Sequence, residues 1–453
     1  MNRPQALRRQ RLLAELPASS VAVIAAGNEQ PRSNDTEYPF RSNSDFCYLT
    51  AFPEPDALLI LAKDATGKCS ELLVCRDKDT EKEVWQGRRF GPGQAEQQFG
   101  LAAVSISEQQ AQLLAAMKGK QQLWFCFGED EALIHLLNEC QQQIQRTPRQ
   151  SELAPQQLCN LRPLLSELRL YKDEHEISLM QQAASISAGA HKATMQLCKP
   201  GMQEYQLEAC IQYHCAMQGA RYQAYNAIVG GGENACILHY TENNAELCDG
   251  DLVLIDAGCE LNGYAADITR TFPVNGRFSK EQAALYQLVL DAQLAALAEI
   301  KPGSSFALAT KACYKVLTEG LHQLGILQGE LAELIEAEAA KPWMIHSLGH
   351  WLGLDVHDVG SYQPKGAVPE PGVKNRPFEP GMVLTVEPGL YIPKGSDTDP
   401  KWWGIGIRIE DDVLVTAEGH RNLTAAVPKT IAEIEALMAM DTADAGNHYG
   451  QFD

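Results

Sequence analysis

The sequence has no apolar run long enough to cross a membrane, and no two of its thirteen cysteines have C-x-x-C spacing. The longest apolar run near the start, VAVIAAG, has strand length. The basic segment before it, MNRPQALRRQRLLAEL, is typical of an amphipathic helix and not of a signal peptide. An odd number of scattered cysteines indicates buried thiols in a reducing cytosol, not a zinc ribbon or a disulfide scaffold. We therefore expect a cytoplasmic protein without a membrane partner.

Positive charge is also scarce, because 38 basic residues stand against 58 acidic ones and the net charge is −20. This balance argues against nonspecific binding to nucleic acid or to an anionic membrane. The nucleophile motif G-x-S-x-G and the Walker A phosphate loop are missing as well. The glycine-rich VGGGEN at 229–234 lacks the Lys-Ser/Thr ending of a phosphate loop. We expect it to bring the backbone close to a cleft.

At 453 residues the chain exceeds one ordinary core, and we expect two domains. Residues 1–172 alternate strand-like runs (VAVIAAG, DALLILA, ELLVCR, QLWFCF) with helical ones, which predicts an α/β domain. Residues 173–440 open with a long predicted helix, with Asp173 as N-cap and Glu176 in the capping-box position. Residues 441–453 are expected to form a flexible tail.

The second predicted domain contains an internal repeat. DGDLVLIDAG aligns with EPGMVLTVEPG so that Asp256 falls on Glu387. A further strand-like run follows each: AADITRTF, which carries Asp267, and GIGIRIEDDVLV, which carries Glu410. A pseudo-two-fold repeat would make Glu410 the counterpart of Asp267 and would direct these four carboxylates into one cleft. The alternative is chance similarity between short apolar strands.

A hairpin is predicted within the first copy of the repeat. Asn262-Gly263 is a strong two-residue turn signal between strand-like runs. With that turn, Asp256 lies opposite Thr269, and Asp267 lies on the same face, one diagonal step away. Two ionised carboxylates directed at one spot repel each other, and a cation between them would remove the repulsion.

The segment MIHSLGHWLGLDVHD supplies three histidines, His346, His350 and His357. Two of them have the spacing of an H-E-x-x-H helix, but a serine occupies the glutamate position and two glycines disfavour a helix. We expect an irregular segment that delivers histidines to the cleft. The alternative is a set of hydrogen-bonded structural histidines.

Four carboxylates with one or more histidines form an oxygen-rich ligand set. Such a set suits Mn²⁺, with Co²⁺ or Zn²⁺ as alternatives, and its negative charge suggests two ions. Two ions would hold a bridging hydroxide as nucleophile, so metal-assisted hydrolysis is the leading reaction class. Arg408, two residues before Glu410 on one strand face, is expected to orient a ligand.

These motifs resemble the pita-bread metallopeptidases, and most closely the aminopeptidase P (Xaa-Pro aminopeptidase) family. The resemblance rests on NDTEYPFRSNSDFCYLTAF, ILHYTEN, LVLIDAGCELNGYAADITRTFPV, HSLGHWLGLDVHDVG, PGMVLTVEPGLY and GIGIRIEDD. It implies an α/β N-terminal domain and an α+β pita-bread catalytic domain. The implied activity is hydrolysis of the N-terminal Xaa-Pro bond by a hydroxide bridging two divalent ions, usually manganese.

The same resemblance implies roles for individual residues. Its metal ligands are Asp256 on one ion, His350 and Glu387 on the other, and Asp267 and Glu410 as bridges. Its catalytic residues are His239 and His357 at the scissile peptide, His346 beside them, Glu387 as proton shuttle and Arg408 as support for Glu410.

Candidate substrate-binding residues are Tyr225, Tyr362, Arg376, Tyr391, Trp85 and Asp35. The last two come from the first domain, and in this family such residues can reach a neighbouring subunit's cleft. A homodimer or homotetramer is therefore expected, with peptides that carry proline at the second position as substrates.

The sequence is also compatible with other functions. A prolidase, restricted to Xaa-Pro dipeptides, has the same metal core, and Arg376 could bind either the dipeptide's carboxylate or a longer backbone. Methionine aminopeptidase chemistry on the same fold is another alternative, but that family usually lacks so large a first domain. A metal-free binding protein would have lost ligands that this chain retains. Cys47 stands where the family commonly has an aromatic residue.

Overall fold

The computed structural model describes residues 3–146, 153–368 and 370–440, so the expected tail at 441–453 lies outside the described residues. The chain divides into two compact units, Met1–Arg169 and Leu170–Asp453. Within the described ranges, no helix combines the length and the apolar character that a membrane span needs. All thirteen cysteines lie in the described ranges, and none of them forms a disulfide there.

The first unit is built on a mixed sheet flanked by helices, as the strand and helix pattern predicted. Its helices are α1 (Pro4–Glu15), α2 (Ser44–Thr50), α3 (Thr80–Gln86), α4 (Gly91–Phe99), α5 (Gln109–Met117), α6 (Glu131–Gln145) and α7 (Arg162–Leu170). Its strands are β1 (Ser20–Ala25), β2 (Pro31–Ser33), β3 (Thr36–Glu37), β4 (Leu58–Lys63), β5 (Cys69–Cys75), β6 (Ala103–Ser105), β7 (Gln122–Phe125) and β8 (Gln157–Asn160). The sheet order is β6-β5-β4-β1-β7-β8, and β2 pairs with β3 separately.

The core of this unit forms where helix α6 packs on the sheet. Leu133, Leu137, Cys140 and Ile144 recur at helical spacing and are buried. They join a cluster of buried side chains from β1 and β4. The apolar stripe of α6 thus packs on one face of the sheet, together with Leu113 and Met117 of α5, as binary patterning requires.

The second unit carries the long helices and the repeat. Its helices are α8 (Glu174–Leu197), α9 (Glu204–Met217), α10 (Lys280–Ala298), α11 (Phe306–Gln323), α12 (Leu331–Glu336) and α13 (Ile431–Met438). Its strands are β9 (Tyr222–Gln223), β10 (Ile228–Gly231), β11 (Leu252–Asp256), β12 (Cys259–Leu261), β13 (Tyr264–Ala265), β14 (Thr269–Pro273), β15 (Val383–Val386), β16 (Gly389–Ile392), β17 (Ile405–Arg408), β18 (Asp411–Thr416) and β19 (Gly419–Asn422). The predicted capping box of Asp173 and Glu176 begins α8.

The hairpin prediction in the first copy of the repeat is confirmed. Leu261 pairs with Tyr264, so Asn262 and Gly263 form the turn, with φ of 51° and 90°. Both positive φ values are those of a type I′ turn, which suits the twist of the strands. In the same register, Asp256 at the end of β11 pairs with Thr269 at the start of β14.

Two sheets carry the two copies of the repeat, β10-β11-β14 and β15-β18-β19. Ile255 pairs with Arg270 in the first, and Val386 pairs with Asp411 in the second. With Asp256 matched to Glu387, these registers match Glu410 to Thr269. The sequence-based pairing of Glu410 with Asp267 is therefore wrong, because strand register decides equivalence and residue type does not.

Candidate metal centre

The ends of buried strands direct the carboxylates into the second unit's cavity. β11 is buried along its whole length and ends at Asp256. Glu387 directly follows β15, and Pro388 stops that strand. Glu410 directly precedes β18, which pairs with β15, and Asp267 lies two residues before β14, which pairs with β11. Side chains at matched strand ends therefore meet in one place.

The structure brings the two aspartates of the hairpin together, as strand parity predicted. The Tyr225 hydroxyl lies 2.6 Å from Asp256 Oδ1 and 2.6 Å from Asp267 Oδ1, so its hydrogen is shared between the two carboxylates. Burial and the surrounding carboxylates raise the pKa of Tyr225 well above its usual value. The Tyr225 hydroxyl consequently keeps its hydrogen and donates to the two carboxylates.

Arg408 joins the two copies of the repeat at the site. Its Nη2 donates to Asp256 Oδ2 at 2.7 Å, and its Nη1 donates to the Tyr391 hydroxyl at 2.9 Å. Its Nε donates to Thr269 Oγ1, which in turn donates to Glu410 Oε2 at 2.7 Å. Arg408 thus contacts Asp256 directly and reaches Glu410 only through the threonine hydroxyl.

An irregular segment delivers His350, as expected from its glycines. The chain at 348–352 runs antiparallel beside β15, with Thr385 N donating to His350 O at 2.9 Å and Glu387 N donating to Leu348 O at 2.8 Å. A Cβ at Gly349 would collide with the Thr385 carbonyl, so only glycine permits this approach. The expected departure from an H-E-x-x-H helix is confirmed.

The His350 ring is oriented for ligation through Nε2. Its Nδ1 lies 3.0 Å from the Trp351 carbonyl, which can only accept, so Nδ1 carries the hydrogen. Nε2 lies 3.4 Å from Asp267 Oδ2 and 3.7 Å from Glu387 Oε1. Ligand atoms of Asp267, His350 and Glu410 all lie within 4.8 Å of one another. Such a group can hold a metal ion.

The charge balance of the cluster fits divalent cations. Burial, reinforced by neighbouring carboxylates, raises the pKa of Glu410 well above its usual value, and burial raises the pKa of Glu387 to about 7. Burial alone would lower the pKa of His350, but its hydrogen bond to Asp267 and the nearby carboxylates raise it to about 9. Without metal, the buried cluster therefore retains protons to limit its own repulsion. Bound cations would replace those protons.

His346 lies beside Glu387, with Nδ1 3.4 Å from Glu387 Oε2. The same Nδ1 lies 2.8 Å from the Ser347 carbonyl, so it carries the hydrogen and Nε2 accepts from the Tyr391 hydroxyl at 2.7 Å. Burial lowers the pKa of His346 to about 4, which keeps the ring neutral. His346 therefore serves as a fixed donor near the carboxylates.

The cluster faces a cavity of about 650 Å³. His239 and His357 line it and are exposed. The His357 ring centroid lies 4.2 Å from that of His350. Tyr225 and Tyr362 also line the cavity. The site thus combines buried carboxylates on one side with exposed imidazoles that can contact a ligand.

Lys374 also lines the cavity, and the sequence reasoning missed it. Its Nζ donates to the Gly349 carbonyl at 3.0 Å and lies 4.4 Å from the Tyr362 ring centroid. Burial lowers its pKa. Lys374 lies in the irregular stretch after Tyr362, where no helix or strand pattern predicts the direction of a side chain. The only sequence signal for it was the presence of a cationic residue near the histidine motif.

Several predicted residues lie elsewhere among the described residues. Arg376 is buried and donates to the Tyr171 hydroxyl at 3.1 Å, and Tyr391 is buried behind His346 and Arg408. Neither lines the cavity, and their substrate contacts stay predictions. Trp85 and Asp35 are exposed on the first unit.

The glycines of VGGGEN do not themselves line the cavity. A Cβ at Gly231 would lie 2.7 Å from Leu247 Cδ2, so the loop packs against its own unit there. The lining residues that flank this loop are Ile228 before it and Leu238 and His239 after it.

The first unit holds a second group of potential ligand atoms, from Asp45, Cys126 and Glu129. Asp45 pairs with Arg169 at 2.7 Å, and Glu129 pairs with Arg162 at 2.7 Å. Arginines thus already balance both carboxylates. We assign no metal to this group.

The sequence model of "Metallopeptidase family M24" matches residues 178–417, which is more than half of the chain. That of "Aminopeptidase P, N-terminal domain" matches residues 5–124. The chain belongs to metallopeptidase family M24. Its fold class is therefore the expected one, an α/β N-terminal domain followed by an α+β pita-bread domain.

The chain is similar to named proteins over nearly its whole length. This chain is 45% identical to an Xaa-Pro aminopeptidase of Escherichia coli strain K12, over 95% of this chain and 96% of that protein. A solved structure of proline aminopeptidase P II from Yersinia pestis is 47% identical, with a TM-score of 0.92, and the match covers 96% of this chain and 99% of that one. A zinc-substituted E. coli aminopeptidase P in complex with product is 45% identical, with a TM-score of 0.92, covering 96% and 97%.

Proposed function

We propose that this protein is a metal-dependent aminopeptidase that hydrolyses the N-terminal Xaa-Pro bond of peptides. The observation that carries the proposal is the compact group of Asp267, His350 and Glu410 at the base of a cavity that His239 and His357 line. The family membership and the full-length similarity to Xaa-Pro aminopeptidases support it.

In this proposal two divalent ions, Mn²⁺ first and Co²⁺ or Zn²⁺ as alternatives, are held by Asp256, Asp267, His350, Glu387 and Glu410. The structure of zinc-substituted E. coli aminopeptidase P supports zinc as one of these alternatives. When bound, such ions act as Lewis acids and lower the pKa of water to near neutrality. Carboxylate ligands with one imidazole suit manganese.

The protein's own groups would then orient the substrate and move protons. His239 and His357 are exposed in the cavity and can donate to the scissile carbonyl as negative charge develops on its oxygen. Glu387, whose pKa burial raises to about 7 in the metal-free protein, can pass a proton to the leaving prolyl nitrogen. Arg408 keeps Asp256 in place.

The cavity also suits a short peptide with a proline ring. Ile228, Leu238 and Val356 give it an apolar lining, and Tyr362 adds an aromatic face. The peptide nitrogen of proline carries no hydrogen, so its recognition depends on ring packing and not on a donated hydrogen bond. Tyr225, Arg376 and Tyr391 remain candidates for further contacts.

Prolidase activity is the second candidate, and Lys374 is compatible with it. A prolidase must bind the free carboxylate of a dipeptide, and Lys374 places an ammonium group in the cavity. The same group can attract the carboxylate of a longer peptide, so the contact alone does not decide.

The deciding experiment compares an Xaa-Pro dipeptide with an Xaa-Pro-Yaa tripeptide in the presence of Mn²⁺. Cleavage of the tripeptide, with release of the first residue, is expected. Peptides with alanine in place of proline, and protein treated with a chelator, are the controls. Cleavage of the dipeptide alone would establish a prolidase, and cleavage of neither would favour a binding protein.

We also propose an organisation for the whole chain. Residues 1–172 would restrict substrates and contribute subunit contacts, 173–440 would carry catalysis, and 441–453 would be a flexible tail. A homodimer or homotetramer is proposed, in which Trp85, 88% exposed, and Asp35 contact a neighbouring subunit. Light scattering of the wild type and of Trp85→Ala tests this. The cysteines without disulfides support a cytoplasmic location.

A further inference from the structure

Glu204, the first residue of α9, is a fully buried carboxylate outside the metal cluster. Its Oε1 accepts from Gly231 N at 2.7 Å and from Asn234 Nδ2 at 3.1 Å. Its Oε2 accepts from the Tyr240 hydroxyl at 2.9 Å and from Ala245 N at 2.9 Å. Four donors on one carboxylate compensate well for burying its charge.

These donors bracket His239 along the chain. Gly231 and Asn234 precede it, Tyr240 follows it directly, and Ala245 closes the segment. Glu204 also donates its backbone N–H to the Ala245 carbonyl at 3.0 Å. In the described part of the chain, no lysine or arginine forms an ion pair with Glu204. The loop's own dipoles and the N-terminus of α9 therefore stabilise the charge, and the loop is held in return.

The loop has little freedom to find another arrangement around this carboxylate. A Cβ at Gly231 would lie 3.5 Å from Glu204 Oε1 and 2.7 Å from Leu247 Cδ2. On the other side, Asn243 Oδ1 accepts from Val229 N at 3.0 Å while its amide donates to the Ala227 carbonyl at 2.9 Å. The segment between is thus tied at both ends, whereas the His239 side chain itself is exposed.

We propose that Glu204 is a positioning residue that fixes the segment carrying His239 and so sets where that imidazole meets the substrate. The proposal rests on the role of His239 in the proposed function. Glu204 touches neither the cavity nor a metal ligand, so it acts through the loop alone.

Glu204→Gln tests the proposal, because it keeps the shape and removes the charge. The NH2 group of the glutamine would face hydrogen-bond donors. The backbone N–H groups of Gly231 and Ala245 cannot become acceptors, so one contact would be lost. We expect kcat/KM to fall roughly 10- to 100-fold, since a displacement of about 1 Å can cost about 10²-fold. In a His239→Ala background the same substitution should cost less than about threefold, because coupled residues are not additive.

Equal losses from Glu204→Gln in both backgrounds would overturn the proposal. Tyr240→Phe is the milder variant, in case the first one folds poorly. It removes one of the four donors and should show the same dependence on His239 at a smaller magnitude.

Glu176→Gln is the matched control. This carboxylate is 2% exposed and accepts from the Tyr264 hydroxyl at 3.0 Å and from Asp173 N at 2.9 Å, away from the His239 segment. Its effect on kcat/KM should be the same with and without His239.

Hydrogen exchange separates this proposal from the proposed function. In the metal-loaded protein, Glu204→Gln should speed amide exchange across 228–247 at least about tenfold, and Glu176→Gln should not. Unchanged exchange there would contradict the positioning role even in an active enzyme. Absence of peptide cleavage by the wild type, with exchange faster as expected, would contradict only the proposed function.

Discussion

Arg408 Nη2 lies 2.7 Å from Asp256 Oδ2, and this contact joins the second copy of the repeat to the first. Both side chains are buried. The matched registers of the two hairpins put Arg408 at the place of Asp267, so a carboxylate in one copy corresponds to a guanidinium in the other. This asymmetry limits the negative charge of the site, because an aspartate at position 408 would add a further uncompensated carboxylate.

Replacing Arg408 by methionine should strongly destabilise the metal-free protein. Removing one partner of a buried ion pair leaves the other charge uncompensated and costs about 3–5 kcal/mol. Arg408→Lys keeps the charge but cannot reach Asp256, Tyr391 and Thr269 together, and we expect a smaller loss. Urea unfolding of the chelated variants measures both. Wild-type stability in Arg408→Met would show that the pair is dispensable.

Arg270 and Asp411, which occupy matched positions in the two copies, form a fully buried ion pair at 2.7 Å. Lys429 Nζ lies 2.7 Å from the other oxygen of Asp411. Burial alone would raise the pKa of Asp411, but the two cations hold it well below its usual range.

Asp411→Asn should therefore cost about 3–5 kcal/mol of unfolding free energy. Asp399→Asn is the control, because Asp399 pairs with Lys401 where both side chains are about half exposed, and it should change stability far less than Asp411→Asn does. Calorimetry on both variants gives the comparison. Similar small losses from the two substitutions would argue against a linkage between the copies.

His191 gives the metal-free protein a defined pH dependence. Burial lowers the pKa of His191 to about 4, and its Nε2 lies 2.8 Å from the Ala257 carbonyl, next to Asp256. Between about pH 6.5 and pH 4, the unfolded chain protonates this histidine while the folded chain does not. Its contribution to stability therefore falls as pH drops through this window, by up to about 1.4 kcal/mol per pH unit.

His191→Gln removes this titration while keeping an N–H donor. Denaturant unfolding of chelated protein at pH 7, 6 and 5 should show a flatter loss of stability than the wild type. The pH 7 values serve as the internal control for the substitution itself. Identical slopes would mean that His191 is not the group that titrates.

The features that local chemistry determines were predictable from the sequence. Asn262-Gly263 sets a two-residue turn, and counting from it gives the pairing of Asp256 with Thr269. Gly349 and Gly353 excluded a helix around His350. Such rules need only neighbouring residues and the strand period of two.

What the sequence left hidden depends on packing between distant segments. Lys374 reaches the cavity because it packs on Tyr362 and bonds to Gly349. Glu204 binds donors that lie 27–41 positions further along the chain. No spacing rule connects residues that only the tertiary fold brings together.

Asp267→Asn tests the central claim most directly, by the number of Mn²⁺ ions bound per chain and the rate of Xaa-Pro cleavage. The wild type should bind two ions. The variant should bind at least one fewer and lose most of its activity, while its circular dichroism stays that of a folded protein. Wild-type turnover in Asp267→Asn would contradict the proposed metal centre.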